Sequence, residues 1–313
     1  MVSRDAPNTT LWVDPISATM GSKLSGATID PGLHIVATPI GNLADITIRA
    51  LAVLARANVI ACEDTRVTGK LKSAYGLTSK LTPYHDHNSS RVLPLLIQRL
   101  KEGQIVALVS DAGTPLISDP GYRLIRAAIG EGLTVFSVPG PTAALAALVG
   151  SGLPTDRFYF CGFLPVKTAA RLNAIKELGI VHATLIFYES AKRLGATLND
   201  LNEVLGKRDA VVARELTKRN EVVKRGTLKT LAEHFSGKLP PKGEIVILVG
   251  ATKERSMATD EEIEISLQVA LQTLGVRDAA KLVASKTGRS KRDVYQRALL
   301  LQGEEINTTR DKN

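Results

Sequence analysis

The sequence predicts an α/β protein: two α/β domains with a cleft between them, then a small C-terminal helical module. Three observations lead there. From residue 33 onward, short β-branched apolar runs alternate with amphipathic helical stretches, the pattern of a sheet covered by helices. Gly152 and Pro154 interrupt the alternation, which then resumes, as expected of two domains in 313 residues. Finally, a polar stretch over 251–260 precedes a segment of helical periodicity and concentrated positive charge.

In the first domain, strands are expected over 33–38, 58–61, 80–84, 105–110 and 134–138, with helices over 46–57, 68–75, 90–101, 120–131 and 141–150. The second domain has expected strands over 158–162, 184–189, 210–214, 222–226 and 245–249, and helices over 168–178, 191–205 and 228–235. The 222–226 run reads as a possible antiparallel excursion. Helices over 278–286 and 290–302 follow, joined at Thr287, Gly288 and Arg289, with Ser290 as N-cap of the second. The expected layout is a flexible extension over 1–31, domains over 32–152 and 153–251, a linker over 252–262, a basic helix-turn-helix-like module over 263–303 and a flexible tail over 304–313.

Composition narrows the function. Hydrophobic residues make up 44% of the chain, which excludes wholesale disorder. The N-terminal stretch lacks the apolar core of a secretory signal, and no run approaches the ~18 apolar residues of a membrane span, so a soluble protein is expected. Cys62 and Cys161 form no CxxC motif, which fits a reducing cytoplasm. Lys and Arg outnumber Asp and Glu by 40 to 31, and the net charge of +9 favours a polyanionic partner. Within 276–303, Arg277, Lys281, Lys286, Arg289, Lys291, Arg292 and Arg297 face only Asp278 and Asp293, so this segment reads as a nucleic-acid-binding surface. Aromatic residues are 4% of the chain, too few for a platform of many stacked bases.

In open parallel sheets, ligands bind beyond the carboxyl ends of the strands, and four loops there are unusual. The first contains Pro39 and Gly41. The second carries Glu63, Asp64, Thr65 and Arg66: either Asp64 or Thr65 caps a helix, or a carboxylate meets a ribose hydroxyl while Arg66 holds phosphate. The third, from Ser110 to Gly121, is longer than the usual ~2–6 residues. In it Asp119 and Pro120 read as a helix N-cap and first turn, leaving Asp111 and residues 113–117 to shape a binding loop. The fourth holds Pro139, Pro141, Thr142 and Ala143. With neither GxGxxG nor GxxxxGK[ST] in the chain, a nicotinamide oxidoreductase or phosphate-cradle enzyme is disfavoured. His85, Asp86 and His87 read as a polar site wall, because the remaining metal ligands are missing; no metal is expected. In the second domain, Tyr188 and Glu189, and the charged run from Arg214 to Lys218, suit the far wall of the cleft.

In order, the strings LHIVATPIGNLADIT, ACEDTR, PYHDHN, LVSDAGTPLISDPGYRL, VPGPTAALAAL, SGLPTDRFYFCGFLP, TLIFYES, ARELTK and KGEIVILV closely resemble the ribosomal RNA small subunit methyltransferase I family, ribose methyltransferases of the tetrapyrrole methylase fold. The resemblance spans about 33–303. It implies two α/β domains of the tetrapyrrole methylase type that bind S-adenosyl-L-methionine between them, a homodimer, and as substrate the 2'-hydroxyl of a cytidine in the decoding region of 16S rRNA, free or in the small ribosomal subunit. By motif, it implies cofactor contacts at Pro39, Asp111, Gly113, Thr114, Pro115, Ile117, Ser118, Pro139, Thr142 and Ala143, with Tyr188 and Glu189 closing the pocket. The resemblance names no proton acceptor; Glu63, Asp64 and His85 are the candidates from position, and Arg66, Lys281, Lys286, Arg289, Lys291, Arg292 and Arg297 are the candidates for RNA binding. Two rivals are a tetrapyrrole C-methyltransferase, disfavoured by the basic tail, and a non-enzymatic ribosome-assembly factor, which leaves the four loops unexplained.

Overall fold

The computed structural model describes residues 21–22, 26, 28–237, 239–252 and 260–310, the segment 303–310 by backbone alone. The expected N-terminal extension through residue 20, most of the expected linker (253–259) and the last three residues of the expected tail lie outside the described residues. The chain divides between Gly250 and Ala251 into two units.

The first unit holds two five-stranded sheets. In the first sheet, β1 (Gly32–Val36), β2 (Val59–Cys62), β3 (Lys80–Pro83), β4 (Ile105–Val109) and β5 (Val135–Val138) are all parallel, in the order β3-β2-β4-β1-β5. The two-residue period sorts side chains between the faces. Leu33, Ile35, Val106 and Leu108 enter one core with Leu96 of α3 (Ser89–Lys101) and Leu124 of α4 (Tyr122–Gly130). Val36, Ile60, Ala107 and Val109 enter the other, with Val53 and Leu54 of α1 (Ile48–Arg56) and Leu71 of α2 (Thr65–Ala74). Burial on both faces explains why these strands read as continuous apolar runs.

Local chemistry sets the helix starts. Thr47 caps α1 by accepting from the Ala50 amide at 3.0 Å, and Asp64 caps α2 by accepting from Arg66 at 2.8 Å. The expected helix start at Pro120 is displaced: α4 begins at Tyr122 after Gly121, whose φ is 133°. A Cβ at Gly121 would lie 2.7 Å from Leu108 Cδ2, so the chain must pass this point as glycine before it turns helical. Asp119 is therefore not the N-cap.

The second sheet runs β6 (Phe158–Phe163), β7 (Thr184–Ser190), β10 (Glu244–Val249), β8 (Asp209–Arg214), β9 (Val222–Thr227). Only β6 and β7 are parallel; β10 is antiparallel to β7 and β8, and β9 to β8, so the excursion at 222–226 is an antiparallel pairing within a mixed sheet. One face is covered by α6 (Thr168–Leu178), α7 (Leu194–Leu205) and α8 (Leu228–Phe235). The other is covered by α5 (Ala143–Ser151), whose Ala144, Ala147 and Leu148 pack on Ile186, Val211 and Leu248. The helix attached to the first domain by its place in the sequence thus packs on the second sheet, because its alanine face permits close approach.

The second unit contains α9 (Asp260–Leu271), α10 (Val276–Thr287) and α11 (Lys291–Arg310) around Ile263, Leu267, Ala280, Val283, Val294 and Ala298. The sequence reading missed α9, placing its first residues in a linker, and stopped the last helix at Gln302. Gly303 disfavours a helix by only about 1 kcal/mol relative to Ala, too little to end one by itself.

Candidate functional site

β1 and β4 lie side by side at the centre of the first sheet, and the connections that follow them leave toward opposite edges. That is where an open parallel sheet leaves a crevice. The four loops are joined to one another there. Thr38 and Gly113 exchange backbone hydrogen bonds of 2.8 and 3.0 Å, joining the loops after β1 and β4. Thr114 Oγ1 donates to the Pro141 carbonyl at 3.0 Å, joining the loops after β4 and β5. The Asp64 amide donates to Asp111 Oδ1 at 3.0 Å, bringing in the loop after β2. Gly140 lies so close to the first strand's exit that a Cβ would stand 2.9 Å from Ala37 Cβ. Within the loop after β4, Leu116 and Ser118 have φ of 73° and 68°, a left-handed conformation unfavourable by roughly 1–2 kcal/mol per residue. Such strain is held where the surrounding structure over-determines the backbone.

These loops form one wall of a cavity of about 550 Å³. Of the residues expected to touch a cofactor, Asp111, Gly113, Thr114, Ile117, Ser118, Thr142, Ala143, Tyr188 and Glu189 line it. Pro39, Pro115 and Pro139 do not; they shape the loops behind the lining. Glu63 lines the cavity, and so does Asp119, which the sequence reading had assigned to helix capping. Burial raises the pKa of the carboxyl of Asp119, as it does those of Glu63 and Asp111, and for Glu63 the neighbouring Asp111, Asp119, Asp86 and Asp64 add to the effect.

The far wall comes from the second sheet: Phe163, Tyr188, Ala213, Leu216 and the run from Gly243 to Val246. The last group escaped the sequence reading because it begins a strand. In this mixed sheet β10 runs against β7, pairing Ile245 with Glu189 and Val246 with Tyr188, so the start of one strand meets the end of the other. The Ala144 amide donates to Tyr188 Oη at 3.3 Å, tying this wall to α5. Glu189 is anchored inward: its carboxylate accepts from the Ser190 amide at 2.7 Å and from Thr197 Oγ1 at 2.6 Å, with Arg193 at 3.2 Å. Arg193 also donates to the Leu164 carbonyl at 2.7 Å, and Arg171 to that of Val166 at 2.9 Å, fixing the segment after Phe163.

A second cavity, a depression of about 480 Å³ broadly open to solvent, is lined by Glu63, Asp64, Thr65, Arg66, Pro83, His85, His87 and Asp111. Asp64 both caps α2 and pairs with Arg66 at 2.6 Å; the Arg66 hydrogen bonds lower its pKa to about 2. Such a carboxylate is a weak base, which counts against the expectation that Asp64 takes a proton. Among the described residues no His, Cys, Asp and Glu cluster is arranged to hold a metal ion.

The basic segment of the second unit is less uniform than its composition implied. Lys281, Lys286, Lys291 and Arg292 are exposed. Arg289 and Arg297 instead pair with Asp260 of α9, at 2.6 and 2.7 Å, and are three-quarters buried. Arg297 pins α9 to α11 and Arg289 pins it to the turn between α10 and α11, while Glu264 of α9 lies 3.8 Å from Arg297. No described helix is long and apolar enough to cross a membrane.

The chain matches the family of Tetrapyrrole (Corrin/Porphyrin) Methylases over residues 32–232 and the RsmI C-terminal HTH domain over 257–302. It is 49% identical over 275 residues to ribosomal RNA small subunit methyltransferase I of Mesorhizobium japonicum, covering 88% of this chain and 93% of that one. The protein of the same name from Escherichia coli O157:H7 is 45% identical over 273 residues, covering 87% and 96%. Uroporphyrin-III-C-methyltransferase from Thermus thermophilus superposes with a TM-score of 0.52 at 23% identity, covering 70% of this chain and 94% of that one. A diphthine synthase does so with a TM-score of 0.55 at 17% identity, covering 70% and 89%. Likeness at this level shows the fold and leaves the substrate to the nearer relatives. The chain belongs to the ribosomal RNA small subunit methyltransferase I family, S-adenosylmethionine-dependent methyltransferases built on the tetrapyrrole methylase fold.

Proposed function

We propose that the chain transfers the methyl group of S-adenosylmethionine to the 2'-hydroxyl of a cytidine in the decoding region of 16S rRNA, as a cytoplasmic homodimer. The observation that carries this reading is a cavity of about 550 Å³ formed by four interlocked loops, with Glu63 shared between it and the second cavity. The names of the relatives point to small-subunit rRNA, and the motif resemblance points to the ribose hydroxyl.

The residues present fit the cofactor. Glu63, Asp111 and Asp119 give the wall an acidic character suited to a sulfonium and an ammonium group, while Ile40, Ile117, Leu216 and Val246 offer apolar surface for an adenine ring. Asp111, Gly113, Thr114, Ile117, Ser118, Thr142 and Ala143 would hold it from one side and Tyr188 from the other. Bound there, it supplies a methyl group already attached to a good leaving group.

The protein's own tasks are then alignment, exclusion of water and proton removal. We assign the last to Glu63. Its raised pKa makes it a better base than an ordinary carboxylate, whereas Asp64 is held by Arg66 and the α2 cap. Nuclease digestion and mass spectrometry of 16S rRNA incubated with enzyme and S-adenosylmethionine should reveal 2'-O-methylcytidine. Glu63→Gln should slow its formation by about 10²–10⁴-fold, measured at saturating cofactor so that any weaker cofactor binding is separated from the lost base. Methylation of a base, or of a precorrin in place of RNA, refutes the reading.

A further inference from the structure

The second cavity shares Glu63 and Asp111 with the first and is otherwise distinct from it. Its volume, about 480 Å³, is ample for one nucleoside. A ribose 2'-hydroxyl lies on the surface of stacked RNA, but a methyl donor set between two sheets is approached most closely by a nucleotide that leaves the stack, and such a nucleotide needs a surface to receive it. We propose that this cavity receives the unstacked acceptor nucleotide, with its ribose at Glu63 and Asp111 and its base against His85 and His87.

The proposal rests on the methyl-transfer reading and adds where the acceptor sits. Ionised carboxylates only accept hydrogen bonds, so the Glu63 and Asp111 end suits hydroxyl donors and repels phosphate. Arg66 also lines it, its side chain 87% exposed and ion-paired among the described residues with Asp64 alone, a surface partner it can exchange for a phosphate. The histidine end is rigidly built. Tyr84 is buried and its amide donates to the Cys62 carbonyl at 2.7 Å; Asn88 accepts from the His85 amide and donates to the Pro83 carbonyl, both at 2.9 Å. The two imidazoles meet edge to face with centroids 5.9 Å apart. His85 Nδ1 is buried without a hydrogen-bond partner among the described residues, an unpaired polar atom on this wall. Flat rings of this kind carry base stacking in RNA recognition.

The test uses the full chain with small ribosomal subunits and S-adenosylmethionine. His87→Ala should raise the subunit concentration for half-maximal methylation by about 5- to 100-fold, the range of one lost base–ring stack, with cofactor affinity by calorimetry within about twofold of the parent. An unchanged half-saturation in both His87→Ala and His85→Gln overturns the proposal, as does a loss of cofactor affinity, which would place these rings in the donor cavity. A second readout needs no turnover. The chain has five histidines, and millimolar cytidine 5'-monophosphate should shift only the imidazole resonances that disappear in His85→Gln and His87→Ala. Shifts confined to His34, His182 or His234, or none, overturn the proposal. Absence of RNA methylation by the parent protein, with the His85 and His87 shifts present, would instead count against the methyl-transfer reading alone.

Discussion

Replacing Arg171 by Met should be among the most damaging single changes in the first unit. Arg171 is 4% exposed; its Nε donates to Asp200 at 2.5 Å, Nη1 to the Val166 carbonyl at 2.9 Å and Nη2 to Thr168 Oγ1 at 3.3 Å. Methionine fills the volume of the stem and removes these bonds along with a fourth, from Nη1 to the Pro165 carbonyl at 3.4 Å. Asp200, only 9% exposed, then keeps a charge whose one ion-pair partner among the described residues is gone. Breaking a buried pair from one side typically costs about 3–5 kcal/mol, most of it the stranded charge, and the Val166 carbonyl loses its donor for about 1 kcal/mol more. For a unit of this size the lower bound corresponds to a fall in melting temperature of about 6–12 °C. Differential scanning calorimetry measures it. The double variant Arg171→Met with Asp200→Leu should recover most of the loss, since replacing both partners leaves no unpaired charge. A single-variant loss under about 1 kcal/mol, or a double variant no better than the single, refutes the reasoning.

Three further outcomes are expected. The rate of methyl transfer should fall on acidification earlier than an ordinary glutamate would dictate: only ionised Glu63 accepts a proton, and burial together with neighbouring carboxylates raises its pKa, so the acid limb of a pH–rate profile moves upward and disappears in Glu63→Gln. Gly113→Ala places a side chain at φ 77° with its Cβ 3.2 Å from Ile40 Cγ2; cofactor affinity by calorimetry should drop about tenfold, from roughly 1–2 kcal/mol of backbone strain relieved by breaking the Thr38 bridge, and unchanged affinity would contradict it. Lys291→Ala and Arg292→Ala should each lower the salt slope of RNA binding by about one ion, whereas Arg297→Ala should chiefly destabilise the helical unit; equal salt effects of all three would show that Arg297 is no internal staple.

What could be read from the residues and what could not divide along a physical line. The alternation of Leu33, Ile35 and Val36 or of Val106, Ala107, Leu108 and Val109 records two-sided burial directly, because side chains on a strand alternate between faces whatever lies beyond. The long, turn-rich segment from Ser110 to Gly121 marked the crevice for a similar local reason: a strand-to-helix link needs far fewer residues. Motif order then carried the family, and with it most of the cavity's first wall.

Other features depended on partners distant in the chain. Asp119 lines the cavity and the helix starts two residues later, after Gly121 passes Leu108, a close approach invisible from the Asp-Pro pair itself. The segment from Gly243 to Val246 joins the site because β10 runs antiparallel to β7, and strand direction is set by pairing. Glu63 differs from its neighbour Asp64 as a base because folding brings Asp111, Asp119 and Asp86 near it, whereas Asp64 is held by the local Arg66. The seven cations of 276–303 are equivalent in composition, and Asp260 of α9 separates two of them from the rest. The sequence by itself determined the periodicities, the loop positions and the family. Tertiary structure alone decided which charges meet, because a charge's role depends on the neighbour that folding brings within a few ångströms.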